Sequence, residues 1–178
     1  YRLNSRYSVI LMSQRSNAPY NDRLHEDGVT IEYEGHDVPK SKDVPNPKSV
    51  DQQVKTSMGT LTQNGYFVEA VERFKAGLQP AEPIRVYEKI LPGIWSDKGF
   101  FKLIDYKKIR SDSRYVYRFI MQATEFETQD DHLQENILSP RSRVIPTEIK
   151  KTVWERDGGK CVICGSTDEL HFDHDVPY

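Results

Sequence analysis

Cys161 and Cys164 are the only cysteines in the chain. Two thiolates two residues apart can grip one tetrahedral metal from a tight turn. Gly165 follows at a position where such a turn calls for a positive φ. A structural zinc site needs four donors, so this pair is half a site. His171 and His174 are the nearby candidates for the other half, and a second cysteine pair beyond Tyr178 is the alternative. Asp173 and His174 then form an acid–imidazole pair. A hard carboxylate suits Mg²⁺ or Mn²⁺, and an imidazole near its ordinary pKa can take a proton from water. The bland alternative is an inert Cys-x-x-Cys and a surface Asp-His pair.

The elements around these residues follow from periodicity. Residues 169–175 alternate as a strand closed by Pro177, and Thr147 caps a helix running through Trp154 with Pro146 before it. Upstream, Tyr7–Met12 reads as a buried strand and Val29–Gly35 as an alternating one. Residues 36–55 hold three prolines and four lysines. They form a long loop, either a solvated excursion or a basic finger for a phosphate backbone. Asn64 is the expected N-cap of a helix whose Phe67, Val68, Val71 and Phe74 share a face and which stops at Gly77. Strands follow at 83–88, 100–106 and 114–121, with a turn at 93–99 and a hairpin loop at 111–113. Many strands around one or two helices point to a curved sheet or barrel. The acidic and proline-bearing stretch 124–146 reads as a linker.

Composition bounds the partners. With 25 Lys and Arg against 27 Asp and Glu, no global charge advertises nucleic acid, so a local basic face must hold any phosphate backbone. The set Arg141, Arg143, Lys150, Lys151, Arg156 and Lys160 is one such face, or a plain solvated surface. No run approaches the roughly 18 apolar residues of a membrane helix, so no membrane partner is expected. Two cysteines in metal-like spacing fit a reducing cytoplasm.

Two resemblances sharpen this reading. Trp154, Arg156, Asp157 and Gly159, followed by the cysteine pair and Asp173-His174, resemble the first half of an HNH (ββα-metal) nuclease domain. The resemblance implies that Asp173 binds the catalytic Mg²⁺ or Mn²⁺, that His174 is the general base, and that Cys161 and Cys164 hold a structural Zn²⁺. The later Asn, the closing His or Asn and the second Cys-x-x-Cys of that family are absent from this stretch, so the sequence is expected to break inside a domain. Over residues 8–122 the chain looks like an SRA domain. Pro83, Arg85, Val86, Gly93, Trp95, Asp97, Gly99, Phe101, Val116, Tyr117 and Arg118 carry that likeness. SRA domains flip a modified cytosine out of duplex DNA. The resemblance implies a pocket within 18–35, where Tyr20 and Tyr33 sandwich the base, Asp22 accepts from its N4 amine, and space near Glu34 and Gly35 admits a 5-substituent.

The expected architecture is α+β. An SRA-like curved β-barrel with flanking helices (1–123) is joined by a linker (124–146) to the zinc-stapled N-terminal part of an HNH domain (147–178). The expected activity is that of a bacterial, cytoplasmic modification-dependent restriction endonuclease. It would act on double-stranded DNA carrying 5-methylcytosine or 5-hydroxymethylcytosine, with a homodimer favoured for cutting both strands. One alternative is a non-catalytic reader whose C-terminal module is a zinc-stapled DNA clamp. Another keeps the nuclease but makes the barrel a binder of RNA or unmodified DNA.

Overall fold

The computed structural model describes residues 6–124, 145–168 and 170–173. Six strands form one mixed sheet, with α1 (Gln63–Lys75) against it and α2 (Thr147–Asp157) docked near one end. The strands are β1 (Ser8–Met12), β2 (Arg23–Leu24), β3 (Thr30–Glu34), β4 (Glu82–Leu91), β5 (Ile94–Ser111) and β6 (Arg114–Ala123). Their order in the sheet is β1-β4-β5-β6-β3-β2, with β1 parallel to β4 and the other pairs antiparallel. Among the described residues, no helix is long and apolar enough to cross a membrane.

Alternation drives the sheet. Along β4 every second residue is buried, which puts Ile84, Val86 and Ile90 inward. Phe101, Leu103, Phe119 and Met121 from β5 and β6 complete the floor, and Phe67, Ala70 and Val71 of α1 cover it at i, i+3 and i+4. Each large apolar side chain so buried contributes roughly 1.5–3 kcal/mol.

Of the curved sheet or barrel expected, the structure has a sheet whose ladder ends on β1 and β2. The register shifts at Arg85/Tyr87, Lys89/Leu91 and Leu103/Asp105 are the kind of irregularity that bends and twists strands. The two edges meet through side chains instead of a ladder. Asp22 Oδ2 accepts from Ser13 N at 3.2 Å, and Gln14 Oε1 accepts from Leu24 N at 2.7 Å.

Four local expectations change. Thr62, not Asn64, caps α1: its hydroxyl accepts from Gly65 N at 3.1 Å and donates to Gln53 O at 2.7 Å. The turn expected at 93–99 is confined to Pro92-Gly93, and the Asp-Lys-Gly signal lies inside β5, where Asp97 Oδ1 accepts from Gly99 N at 2.8 Å. Pro146 precedes α2 and Thr147 is its first residue, with the Thr147 hydroxyl turned to Glu88. Residues 170–173, expected within a strand, carry no regular structure. The expected linker lies almost entirely outside the described residues.

Candidate modified-base site and C-terminal module

The site is built where the loop from β1 to β2 crosses the end of β3. Strand β3 is buried on both faces. Ile31 and Tyr33 enter the core, while Glu32 and Glu34 turn to the arginines of β6. Arg114 Nη2 lies 3.4 Å from Glu34 Oε1 and Arg118 Nη2 lies 3.2 Å from Glu34 Oε2. Arg118 Nη1 also donates to Asn21 O, and Glu34 Oε2 accepts from Asn21 N at 3.0 Å. These pairs satisfy buried charges that would otherwise be costly, and they fix Asn21 and hence its neighbours Tyr20 and Asp22.

Asp22 is buried, with Oδ1 accepting from Glu34 N at 3.0 Å and Oδ2 from Ser13 N at 3.2 Å. Burial nevertheless raises its pKa to about 6, with the Glu34 charge adding to it. Tyr33 is 5% exposed. Its phenol is held well above its ordinary range by burial, with Asp22 and Tyr20 contributing, so the three residues singled out from sequence share one neighbourhood. Tyr20 is half-buried, and burial followed by the Asp37 carboxylate raises its phenol too.

A fourth ring belongs to the same place. His36 Nε2 and Tyr33 Oη share a hydrogen bond of 2.8 Å. The His36 ring is inclined 25° to Tyr20 at a centroid separation of 6.5 Å, and 64° to Tyr33 at 6.0 Å. Its backbone is clamped by Asn64, which accepts from His36 N and donates to His36 O, both at 2.8 Å. Lys48 Nζ stands 4.0 Å from the Tyr20 centroid and 2.9 Å from Asp37 Oδ2. Nothing in the residue pattern marks His36 beyond its place directly after the strand that carries Tyr33.

The loop 36–55 is rooted at its base rather than hanging free. Gln52 Nε2 donates to Gly35 O at 2.6 Å and Gln52 Oε1 accepts from Tyr117 N at 2.8 Å. Arg114 Nη1 donates to Asp37 Oδ1 at 2.6 Å and to Pro47 O at 3.1 Å. Lys40, Lys42 and Lys48 remain exposed. Gly35 is closely packed: a Cβ on it would lie 2.7 Å from both Asn64 Oδ1 and Gln52 Oε1. A cavity of about 20 Å³ between Tyr33, His36, Asn64 and Phe67 has room for about one water.

In the C-terminal module, Gly165 N donates to Cys161 O and Cys161 N to Ser166 O, both at 2.8 Å, with Gly165 at φ 76°. Hydrogen bonds from the Cys164 and Ile163 N–H groups and the Cys164 thiol lower the Cys161 pKa. Such a turn fits a pair of zinc thiolates. Among the described residues, no group of three or more His, Cys, Asp or Glu gathers to hold a metal. Asp173 is exposed, and His174 lies outside the described residues. Lys150 is buried, donates to Ser96 Oγ at 2.7 Å, and stands 5.6 Å from the Phe172 ring.

No protein-family model matches the chain, and no curated protein matches it. The solved structures it matches include SRA domains, at low identity. The SUVH5 SRA domain in complex with hemi-methylated CG DNA gives a TM-score of 0.46 at 19% identity over 68% of this chain and 67% of that one. The same domain bound to fully hydroxymethylated CG DNA gives 0.46 at 19% identity over 67% and 66%. KRYPTONITE in complex with mCHG DNA and SAH gives 0.40 at 17% identity over 70% of this chain, which spans 24% of that protein.

Proposed function

We propose that the chain binds duplex DNA, reads a flipped 5-methylcytosine or 5-hydroxymethylcytosine, and belongs to a modification-dependent endonuclease whose C-terminal module hydrolyses the backbone. The observation that carries the reading is the meeting of Tyr20, Asp22 and Tyr33 at the end of β3, where Asp22 Oδ1 accepts from Glu34 N at 3.0 Å and the Tyr20 and Tyr33 rings lie 6.5 and 6.0 Å from the His36 ring. A flipped base needs aromatic faces to stack on and an acceptor for its exocyclic amine. Each Asp22 oxygen spends one lone pair on a backbone N–H and keeps another. Exposed Lys48, 4.0 Å from the Tyr20 ring, and Lys40 and Lys42 on the same loop offer cations for phosphates, as a chain of net charge −2 requires.

In the C-terminal module, Cys161 and Cys164 would hold half of a structural zinc site. Asp173 would hold a divalent ion, Mg²⁺ or Mn²⁺, which when bound offsets charge on the scissile phosphate. His174 would take the proton from the attacking water. Flipping costs a few kcal/mol, which the contacts at the base site must offset.

The test is cleavage and binding of matched plasmids carrying cytosine, 5-methylcytosine or 5-hydroxymethylcytosine, with Mg²⁺ or Mn²⁺, using full-length protein beside His174→Ala. Cutting confined to modified DNA and abolished by His174→Ala is expected. Equal cutting of all plasmids would sink the base-reading site and leave the nuclease. Selective binding without cutting would leave a reader whose C-terminal module is a clamp.

A further inference from the structure

We infer that the hairpin joining β5 to β6 is a second contact surface for the duplex, with Lys108 and Arg110 bound to backbone phosphates beside the flipped base; this rests on the duplex-DNA reading above. Between Tyr106 and Tyr117 the hairpin carries Lys107, Lys108, Arg110 and Arg114 against a single acid, Asp112. Arg114 is buried and committed to Glu34 and Asp37. Lys107, Lys108 and Arg110 are exposed. Among the described residues none of these three forms an ion pair, and Asp105, the next acid along β5, is held by Lys75 at 2.5 Å. Arg110 Nε reaches a backbone carbonyl, Asp112 O, at 3.4 Å. Three unmatched cations at one tip suit a polyanion.

The register puts two of these cations on one face. Lys108 lies opposite Tyr117 and Arg110 opposite Tyr115, and residues two apart on a strand share a face. Lys107 and Ile109 fall on the other. Lys108 Nζ stands 5.4 Å from the Tyr115 ring and 5.8 Å from the Tyr117 ring. Tyr117 belongs to the core cluster, so this ammonium is steadied before any partner arrives. Ordering done in advance is not subtracted from binding. The hairpin is also stitched to the base site. Gly35 N donates to Tyr117 O at 2.9 Å and Gln52 N to Tyr115 O at 3.0 Å. Arg114 Nη1 donates to Asp37 Oδ1, and Asp37 Oδ2 pairs with Lys48. Neighbouring strands lie about 4.8 Å apart, so the Lys108 backbone, two strands across from Gly35, stands about 10 Å from the end of β3. That is about three base-pair steps of a duplex. A duplex with one base in the site therefore brings its backbone within reach of Lys108 and Arg110, and this adjacency favours DNA over an acidic protein segment.

The experiment titrates full-chain protein with modified and unmodified duplexes of one sequence by fluorescence anisotropy at several salt concentrations. It compares wild type, Lys108→Gln/Arg110→Gln and the charge-keeping Lys108→Arg/Arg110→Lys. A fourth protein, Lys89→Gln/Lys102→Gln, removes the same charge from β4 and from the half of β5 away from the hairpin. Lys108→Gln/Arg110→Gln is expected to make the slope of log K against log salt shallower by about 2 on both duplexes, about one for each phosphate released. The ratio of modified to unmodified affinity should stay at the wild-type level, which also reports an intact base site. The charge-keeping and distant variants should keep the wild-type slope. An unchanged slope in Lys108→Gln/Arg110→Gln, or an equal loss in Lys89→Gln/Lys102→Gln, overturns the hairpin contact and leaves the base reading. A wild type that binds both duplexes equally, with the slope still falling in Lys108→Gln/Arg110→Gln, overturns the base reading and leaves the hairpin. A wild type that binds neither duplex overturns both.

Discussion

Asp22 shows how a recognition residue can double as a staple. Its two oxygens tie the end of β1, through Ser13 N, to the end of β3, through Glu34 N. Asp22→Asn removes a buried charge but turns an amide NH₂ towards one of those N–H groups. A buried donor left without a partner costs about 1–3 kcal/mol, so the variant is expected to be less stable in urea, not more. The pH dependence separates charge from hydrogen bonding. Asp22 has an ordinary pKa of 3.8 and a folded one of about 6, so between these values the folded chain binds more protons than the unfolded one. Its contribution to stability is therefore full below pH 4 and is lost as pH rises to about 6. The wild-type-minus-Asp22→Asn difference in unfolding free energy should fall across that window; a flat difference would show that Asp22 titrates normally. The carboxylate itself was legible in the sequence. Its backbone partners were not, because Ser13 and Glu34 lie 9 and 12 residues away and meet only when the sheet curls. His36 escaped notice for a related reason: it meets Tyr20 and Tyr33 only in the folded chain, which no spacing rule reports.

At the scale of elements, the entry to α1 sets a backbone preference against packing. Gly65 lies in the first turn of α1, where Ala would be favoured by roughly 1 kcal/mol on helix propensity alone. A Cβ there would stand 2.0 Å from Val54 O and 2.9 Å from Leu61 Cδ2. Backbone cannot yield as a flexible side chain can, and overpacking costs typically 1–3 kcal/mol. Gly65→Ala is therefore expected to lower Tm, by about 2–4 °C per kcal/mol for a chain of this size; an unchanged or raised Tm would mean that the loop carrying Val54 gives way freely. The strands at 8–12, 30–34 and 114–123 were legible because the first is an unbroken apolar run, the second alternates and the third is rich in aromatic and β-branched residues. The cap of α1 was misplaced by two residues because Asn64 and Thr62 are both good cap types, and tertiary partners decide between them: Asn64 is committed to His36. The Asp-Lys-Gly within β5 reads as a reversal by composition. In the sheet it is an irregularity, because Asp97 is held by Arg85 at 2.6 Å from the neighbouring strand and pairing continues on both sides.

Among the described residues, the sheet and the C-terminal module meet at a charged, buried junction. Glu88 and Lys98 pair at 2.6 Å with both side chains fully buried. Glu88 Oε1 also accepts from Gln14 Nε2 at 2.9 Å and from Thr147 Oγ1 at 2.5 Å. One carboxylate thus ties the loop after β1, its partner strand and the first residue of α2. Lys150, one turn further along α2, brings a second ammonium to the Glu88–Lys98 pair. Burial, and then the Lys98 charge, push its pKa down to about 8, although Glu88 and Asp97 pull the other way. The folded chain therefore releases this proton near pH 8 and the unfolded chain near 10.5, so between those values the unfolded state binds more protons. Stability contributed at Lys150 must rise with pH across that window. Lys150→Met keeps the apolar stem and removes the titration, while every other lysine and tyrosine titrates in both proteins. Urea unfolding of the two at pH 7.5, 8.5 and 9.5 should show wild type gaining on Lys150→Met at each step. Parallel curves would mean that Lys150 keeps its proton in an environment as wet as bulk solvent, and that α2 does not rest on the sheet in solution.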